Sequence, residues 1–194
     1  LLDYLINVSK KNFFNNVYED VILGSSARLK NIYLQKDKSS GYFHKYSKNR
    51  LSAGANFSSF IFPTGLKFNK LDLEFNLEGE NCECNLQSAS FLSQQEHQEI
   101  KTRINHFYPN CKSYQKVKNV LNEDSKGVYQ GKIFVKDEAQ KTDAYQLSKA
   151  ILLGERSEFD SKPELEIYAD DVKCSHGSTS GSLDKDSIYY LMTR

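Results

Sequence analysis

This chain of 194 residues contains no tryptophan, and methionine, proline and cysteine are scarce, at one, three and four residues. With so few prolines, little of the chain can form rigid linkers. The cysteines are irregularly spaced, which does not indicate a disulfide framework and favours a reducing compartment. A chain of this length can bury a sizeable core without disulfides or structural metals.

An excess of either charge is also missing, because 26 basic residues balance 25 acidic ones and leave a net charge of +1. This balance gives no electrostatic reason to expect a nucleic-acid or membrane partner. No run approaches the ~18 apolar residues of a membrane-spanning helix. Residues 1–8 are apolar but lack a basic segment and a cleavage site, so they do not indicate a signal peptide. The chain also lacks an initiator methionine, and we expect it to begin inside a longer protein.

Nucleotide hydrolysis and serine hydrolase chemistry lack their sequence motifs. The chain contains no Gly-x-x-x-x-Gly-Lys-Ser/Thr loop and no Gly-x-Ser-x-Gly elbow. The sequence therefore predicts that this chain is not itself an ATPase, and no other catalytic motif stands out.

Alternating apolar residues dominate what is present, and twelve Tyr and twelve Phe favour strands. One alternating run predicts a half-buried strand with a one-residue slip near Asn69 and Lys70. Its apolar members are Leu66, Phe68, Leu71, Leu73, Phe75 and Leu77. Cys82, Cys84 and Leu86 then continue on one face of the next strand, where core packing explains both cysteines.

Short strands separated by Gly or Asn recur along the chain, without the Asn-Gly turns of hairpins. This pattern favours an all-β solenoid in one domain, residues 1–194, although no exact repeat period is visible. The spacing of Ala139, Ala144, Leu147, Ala150 and Ile151 predicts one helix over residues 137–153, with Gly154 as its C-cap. Residues 36–51 and 121–126 are polar and are expected to form loops.

Cys174 and His176 are the strongest candidates for chemistry. On a strand, residues two apart project from the same face, so a thiol and an imidazole would lie side by side. Both are good ligands for iron or zinc, but two ligands do not close a site, and others would have to come from elsewhere, including a second chain. The alternative is a cysteine packed beside a hydrogen-bonded histidine, and spacing alone favours that alternative.

The remaining histidines and Cys111 carry weaker signals. Thr102, Ile104 and His106 would share a strand face, which favours a structural role for His106, and His97 has no predicted partner. His44 lies in a Lys- and Tyr-rich segment and is expected to be solvated. Cys111 is expected in a loop, without a role.

Adjacent acidic residues do not form a predicted catalytic pair. Asp170 and Asp171 would point to opposite faces of a strand, which separates their carboxylates. Asp184 and Asp186 could share a face, but a solvated turn after Gly181 explains them more simply.

Several sequence strings resemble one known family. They are GVYQGKI (127–133), QKTDAYQ (140–146), LL (152–153), KPELEIYADDVKCSHG (162–177) and YYLMTR (189–194). This succession resembles the core domain of the SufB/SufD family of iron–sulfur cluster assembly scaffolds. The strings DAYQ and ADDVKCSHG resemble the SufD branch. The similarity is dense from residue 127 onward and looser before it, where TRINH (102–106) fits the family pattern.

This resemblance implies a right-handed parallel β-helix and a non-enzymatic scaffold. It implies SufB as heterodimer partner, the ATPase SufC as a second partner, and cluster assembly at the SufB–SufD interface. His176 would then supply an imidazole to iron, and Cys174 a thiolate or a redox partner. The cluster or iron would be transient and shared with the partner, with no tightly bound cofactor in the isolated chain.

The same resemblance implies a bacterial cytosol or a plastid as the compartment. The helical terminal regions of the family are absent from this sequence, so we expect a core fragment without most of the SufC site. The exposed edges of a β-helix are also compatible with a homodimer in isolation.

Two other functions stay open at this point. A polysaccharide-active β-helix enzyme would need carboxylates clustered along a groove. A homodimeric adaptor without cluster contact would bury Cys174 and His176 away from any interface.

Overall fold

A computed structural model describes residues 1–5, 12–35, 38–182 and 184–194. These residues form thirteen strands and one helix. They are β1 (Leu2–Leu5), β2 (Phe14–Leu23), β3 (Arg28–Gln35), β4 (Ser39–Leu51), β5 (Asn56–Pro63), β6 (Leu66–Leu77), β7 (Glu83–Leu92), β8 (His97–His106), β9 (Lys112–Leu121), β10 (Lys126–Val135), β11 (Asp143–Leu152), β12 (Glu158–Ile167), β13 (Lys173–Ser182) and α1 (Lys185–Met192).

The strands alternate between two parallel sheets. Odd-numbered strands form a seven-stranded sheet in the order β1-β3-β5-β7-β9-β11-β13, and even-numbered strands form a six-stranded sheet from β12 to β2. Each strand therefore pairs with the strands two positions away along the chain, and the chain winds into a solenoid of about six turns. The predicted all-β parallel solenoid is confirmed.

The turns differ in length, which explains why the sequence shows no fixed repeat. Residues in register along the six-stranded sheet are 26 to 32 positions apart, and one series is Phe14, Tyr42, Phe68, His97, Lys126 and Glu158. The short step between Tyr42 and Phe68 follows a register irregularity between Ser39 and Tyr42. Strand register is preserved because the length differences fall in the turns and at this irregularity.

Apolar side chains fill the interior of the early and middle turns. Leu51, Leu71, Phe75 and Leu77 are buried, and the ring of Phe75 meets that of Phe57 edge-on with centroids 5.0 Å apart. These residues alternate with outward-facing polar ones, so each strand gives one face to the core.

The alternation predicted around residue 66 is correct except at Phe68. Phe68 lies on the outer face, where its ring packs between Tyr42 and His97 at centroid distances of 6.2 and 5.1 Å. Leu66 and Asn69 both face inward, so the slip occurs at Lys67 and Phe68 rather than at Asn69 and Lys70.

The helix predicted over residues 137–153 is wrong. Residues 143–152 form strand β11, in which Ala144 and Ala150 face the core while Leu147 lies on the outer face. The helical spacing arose from combining inward and outward residues of one strand. Gly154 is not a helix cap but lies in the next turn, where a Cβ would stand 2.3 Å from the backbone of Glu123.

The loop predicted over residues 36–51 is also wrong, because residues 39–51 form the long strand β4; residues 36 and 37 lie outside the described part of the chain. The polar residues of β4 indicated a loop, but Lys45 and Ser47 point inward, where their side chains donate hydrogen bonds to the Glu19 carboxylate at 3.1 and 2.7 Å. The second predicted loop is confirmed, since residues 122–125 form the turn between β9 and β10.

The acidic residues near the C-terminal end also lie in unexpected structure. Asp170 and Asp171 stand in the turn before β13 instead of on a strand. Asp184 and Asp186 are exposed to solvent, as predicted, but they begin helix α1 instead of forming a turn. The Asp184 carboxylate caps this helix by accepting a hydrogen bond from the backbone N–H of Ser187 at 2.8 Å.

The packing of Phe75 gives a direct test of the interior. We expect Phe75→Ala to lower the free energy of unfolding by about 3–5 kcal/mol, because it leaves a cavity next to Phe57. Phe91→Ala, on the outer face of β7 with 47% of the residue exposed, serves as the matched control and should cost less than about 1 kcal/mol. Urea denaturation measures both; equal losses would contradict this description of the core.

Candidate functional site

Cys174 and His176 lie on β13, the last strand of the seven-stranded sheet. Cys174 is in register with Ala144 of β11, and His176 with Gln146. Ala144 and Gln146 are both buried inside the solenoid, so Cys174 and His176 face the same interior side at its last turn. The structure therefore places the two side chains on one face, as their spacing predicts.

The position of β13 at the edge of its sheet leaves this pair accessible. Cys174 is half-buried and His176 is exposed. The backbone N–H of Lys173 donates to the Thr142 carbonyl at 2.8 Å. Because backbone groups alternate in direction along a parallel strand, the N–H groups of Cys174 and His176 point away from β11, to the open edge.

Apolar neighbours determine the chemistry of Cys174. Its side chain packs against a cluster that includes Ile133, Val135 and Ala144. Burial raises the pKa of the Cys174 thiol above its usual value. The thiol is therefore protonated near neutral pH, and it must lose that proton to bind a metal ion.

Polar side chains line the interior next to His176. Gln146 lies in register with Gln115 of β9, and Tyr129 from the opposite sheet donates hydrogen bonds towards their side-chain oxygens at 3.2 Å (Gln115) and 3.4 Å (Gln146). Burial raises the pKa of Tyr129 to about 12, so this hydroxyl stays a donor. A Cβ at Gly131 would stand 2.2 Å from the Gln146 oxygen, so the glycine leaves room for this cluster.

Nothing in the sequence marks Tyr129 and Gln115 as neighbours of the candidate site, because their proximity depends on strand register. Two strings that carry the family resemblance pointed to this part of the chain: GVYQGKI, which contains Tyr129, and DAYQ, which ends at Gln146. The site thus combines an outer thiol and imidazole with an inner polar layer of Gln115, Tyr129 and Gln146, in which the buried Nε2 of Gln115 has no partner among the described residues.

The donor set fits iron in kind but not in number. A thiolate and an imidazole are both accepted by iron. Within the described ranges, no group of three or more His, Cys, Asp or Glu side chains is placed to hold a metal ion. A metal-containing cargo at Cys174 and His176 would therefore need further ligands from another molecule.

Apolar side chains are exposed on the two elements that precede and follow β13 along the chain. Helix α1 follows β13 and exposes Tyr189, Leu191 and Met192, with 80% of Met192 accessible to solvent. On β12, Ile167 is also exposed. Exposed apolar surface of this kind is typical of a protein contact. Among the helices that the structure describes, none combines the length and apolar character required to cross a membrane.

The other three cysteines are buried, which confirms the core assignment of Cys82 and Cys84. Cys82 immediately precedes β7, and Cys84 faces inward on it. Cys111 lies in the turn before β9, as expected, but is fully buried.

His44 is not simply solvated, contrary to the sequence-based expectation. Its ring nitrogens lie 2.9 Å from the Asn16 side-chain oxygen and 2.8 Å from an Asp72 carboxylate oxygen, on the outer face of three neighbouring strands. His97 has a partner as well, because its Nε2 lies 3.0 Å from the Glu99 carboxylate.

A groove of about 1080 Å³ runs along the flank of the solenoid where odd strands turn into even ones. Acidic side chains line part of it, but most are held by turn contacts. Asp124 forms a bidentate ion pair with Arg156, in which both N–O distances are 2.8 Å. The Glu123 carboxylate accepts a hydrogen bond from the backbone N–H of Gln94. Glu96 accepts from the Ser93 N–H at 3.1 Å, and burial raises its pKa. These contacts indicate turn-stabilising roles.

The chain is similar to known proteins over its whole length. Residues 2–194 match the family model described as SUF system FeS cluster assembly, SufBD core domain. The chain is 29% identical over its whole length to the iron–sulfur cluster assembly protein SufD of Escherichia coli, covering 46% of that protein. It is 27% identical over 94% of its length to a SufBD family protein of Synechocystis, covering 40%. It is 28% identical over 94% of its length to the chloroplastic protein ABCI7 of Arabidopsis thaliana, covering 38%.

The chain thus spans less than half the length of these relatives. The match nevertheless includes the whole solenoid and helix α1.

His106, the last residue of β8, lies in the interior of the solenoid and has a structural role. Its Nε2 lies 2.9 Å from the Ser113 hydroxyl, its Nδ1 is buried with no partner among the described residues, and Thr102 and Ile104 of β8 are buried on the same face. Burial lowers the pKa of His106 from 6.5 to about 4. The folded state therefore holds a neutral imidazole that the unfolded chain protonates at higher pH.

This difference predicts a loss of stability on acidification. The penalty begins as pH falls below 6.5, grows until about pH 4, and reaches up to roughly 3 kcal/mol. Above pH 6.5 it is absent, because both states are neutral. We expect His106→Gln to show a smaller loss of unfolding free energy than the wild type between these pH values. Urea denaturation across that range measures it, and identical pH profiles would contradict the buried neutral imidazole.

Proposed function

The chain belongs to the SUF-system SufBD core-domain family, and on that premise we propose that it is a non-enzymatic scaffold component of iron–sulfur cluster assembly. One observation carries the proposal: Cys174 and His176 lie side by side at the open edge of the last solenoid turn. The cluster, or its iron, is cargo that this edge holds temporarily.

Incomplete ligation supports a shared site. Two donors leave at least two positions of a tetrahedral iron unfilled. The edge strand β13 also presents unpaired backbone groups, and helix α1 presents apolar side chains. A partner chain docking there would satisfy the backbone groups, cover the apolar surface and add the missing ligands. We assign this role to SufB.

Cys174 and His176 have different tasks in this proposal. The exposed imidazole of His176 offers a nitrogen lone pair to iron without rearrangement of the core. Cys174 starts as a neutral thiol, because burial raises its pKa, and iron replaces its proton on binding. The Tyr129–Gln146 layer holds the strand beneath His176 in place.

SufC is the second proposed partner, as the family resemblance implies, and it would supply the ATPase motif that this sequence lacks. The bacterial sources of two relatives, and the word chloroplastic in the name of the third, support a bacterial cytosol or a plastid as the compartment.

The alternatives have weaker support. A polysaccharide-active enzyme is favoured only by the acidic groove, where Asp124, Glu123 and Glu96 are engaged in turn contacts. A homodimeric adaptor that merely packs its Cys and His is opposed by the exposure of His176.

Cluster reconstitution tests the proposal. The full-length protein is co-expressed with SufB and SufC, and clusters are assembled anaerobically and followed by visible absorption. We expect His176→Ala to reduce the cluster content of the complex roughly 10- to 100-fold, because it removes an iron ligand. Cys174→Ala should also reduce cluster content, since only the wild type offers a thiolate there.

Ser175→Ala is the matched control, because Ser175 lies between the two residues on the opposite face of β13. It should leave cluster content unchanged, and all three variants should still co-purify with their partners. Clusters at wild-type levels in both His176→Ala and Cys174→Ala would reject the ligand role and leave the chain as an adaptor.

A further inference from the structure

Two buried cysteines outside the candidate site lie directly above one another in the solenoid. Cys82 precedes β7 and Cys111 precedes β9, two strands that pair in parallel. The N–H of Lys112 donates to the carbonyl of Cys82 at 2.8 Å, which extends the register of these strands to the two cysteines. Cys82 and Cys111 therefore occupy equivalent positions on successive turns.

The spacing of these positions suits a disulfide. Neighbouring strands are ~4.8 Å apart, and disulfide-bonded cysteines have Cα atoms ~4.4–6.8 Å apart. Both sulfur atoms also lie 3.2 Å from the same oxygen, the carbonyl of Gly79. The side chains thus converge on one small volume beneath the turn that contains Gly79.

The pKa values of the two thiols shift in opposite directions, which favours a reaction between them. Interaction between the two neighbouring thiols lowers the pKa of Cys82 and raises that of Cys111. Cys82 is therefore the thiol that ionises first, and the Cys111 sulfur lies beside it against the same Gly79 carbonyl. Cys84 lacks this arrangement, because it is in register with Phe57 and Ser113.

We propose that Cys82 and Cys111 form an oxidation-sensitive pair that closes into a disulfide across two turns. With hydrogen peroxide as oxidant, the Cys82 thiolate attacks one oxygen, the O–O bond breaks, and a sulfenic acid forms while hydroxide leaves. Cys111 then attacks the Cys82 sulfur; the S–S bond forms, the S–O bond breaks, and the thiol proton leaves with the oxygen as water. Two thiols lose two electrons in total, and peroxide is reduced to water.

Burial makes this reaction depend on local opening. Both cysteines are fully buried, whereas Glu80 and Asn81 in the turn beside Cys82 are exposed, and Asn81 has a left-handed backbone with φ of 58°. Opening of that turn admits the oxidant, and closure brings the sulfurs together. The bond joins two successive turns covalently and is independent of Cys174, His176 and the proposed cluster chemistry.

Peptide mapping without reduction tests the pair. The native full-length protein is treated with hydrogen peroxide, alkylated and digested. We expect a cross-linked peptide pair containing Cys82 and Cys111, two thiols fewer per chain, a higher melting temperature, and reversal of all three by dithiothreitol. Oxidised Cys174 with Cys82 and Cys111 still free, or separately oxidised Cys82 and Cys111, would overturn the proposal.

Two kinds of variant give the comparison. Cys111→Ala should leave Cys82 as an unlinked sulfenic acid or free thiol and abolish the rise in melting temperature. Ala55 occupies the equivalent position one turn before Cys82, because its carbonyl accepts a hydrogen bond from the backbone N–H of Glu83. Ala55 is fully buried, so this column of residues already accommodates an alanine. Cys174→Ser, on β13 and separated from β9 by strand β11, should still form the cross-link. A rise in melting temperature that persists in Cys111→Ala would also overturn the proposal.

Discussion

The parallel backbone hydrogen-bond ladder is the constraint on which the rest of this structure depends. Each turn of the solenoid satisfies its backbone groups on the turns before and after it, and register is preserved although turn lengths vary. Side chains at equivalent positions therefore stack in columns. The apolar columns through Leu71 and Phe75 build the core, and other columns bring together Cys82 with Cys111, and Gln146 with His176. Side chains that lie next to each other on successive turns are therefore about 30 residues apart in sequence.

The same ladder explains how the proposed site on β13 stays open to a partner. In the interior of the solenoid a strand has two neighbours and its inward side chains are covered, as for Ala144 and Gln146. Strand β13 has one neighbour in its sheet, so its inward residues become half-buried or exposed while keeping the geometry of the column. Cys174 and His176 thus keep their register with the core residues of β11 but are open to a second molecule. In our proposal, that combination lets a scaffold contribute ligands without enclosing the cluster.

Several features could be predicted from residues alone. Alternation of Leu71, Leu73, Phe75 and Leu77 identified a strand, and the i, i+2 spacing placed Cys174 and His176 on one face. The strand β11 was mistaken for a helix because Leu147 and Ile151 add apolar residues to its outer face. The polar strand β4 was mistaken for a loop because Lys45 and Ser47 are buried against Glu19, a partner 26 to 28 residues away. The contacts between Tyr129, Gln115 and Gln146 depend on register, which turn lengths hide from a single sequence.

Residue-resolved hydrogen exchange along β13 tests most directly whether this edge receives a partner. The full-length protein would be compared alone and in complex with SufB. We expect the amides of Cys174 and His176 to exchange quickly in the free protein and to become protected in the complex. The amide of Ser175, which points towards β11, should be protected in both states. Unchanged exchange at Cys174 and His176 on complex formation would contradict the claim that a partner completes the last turn.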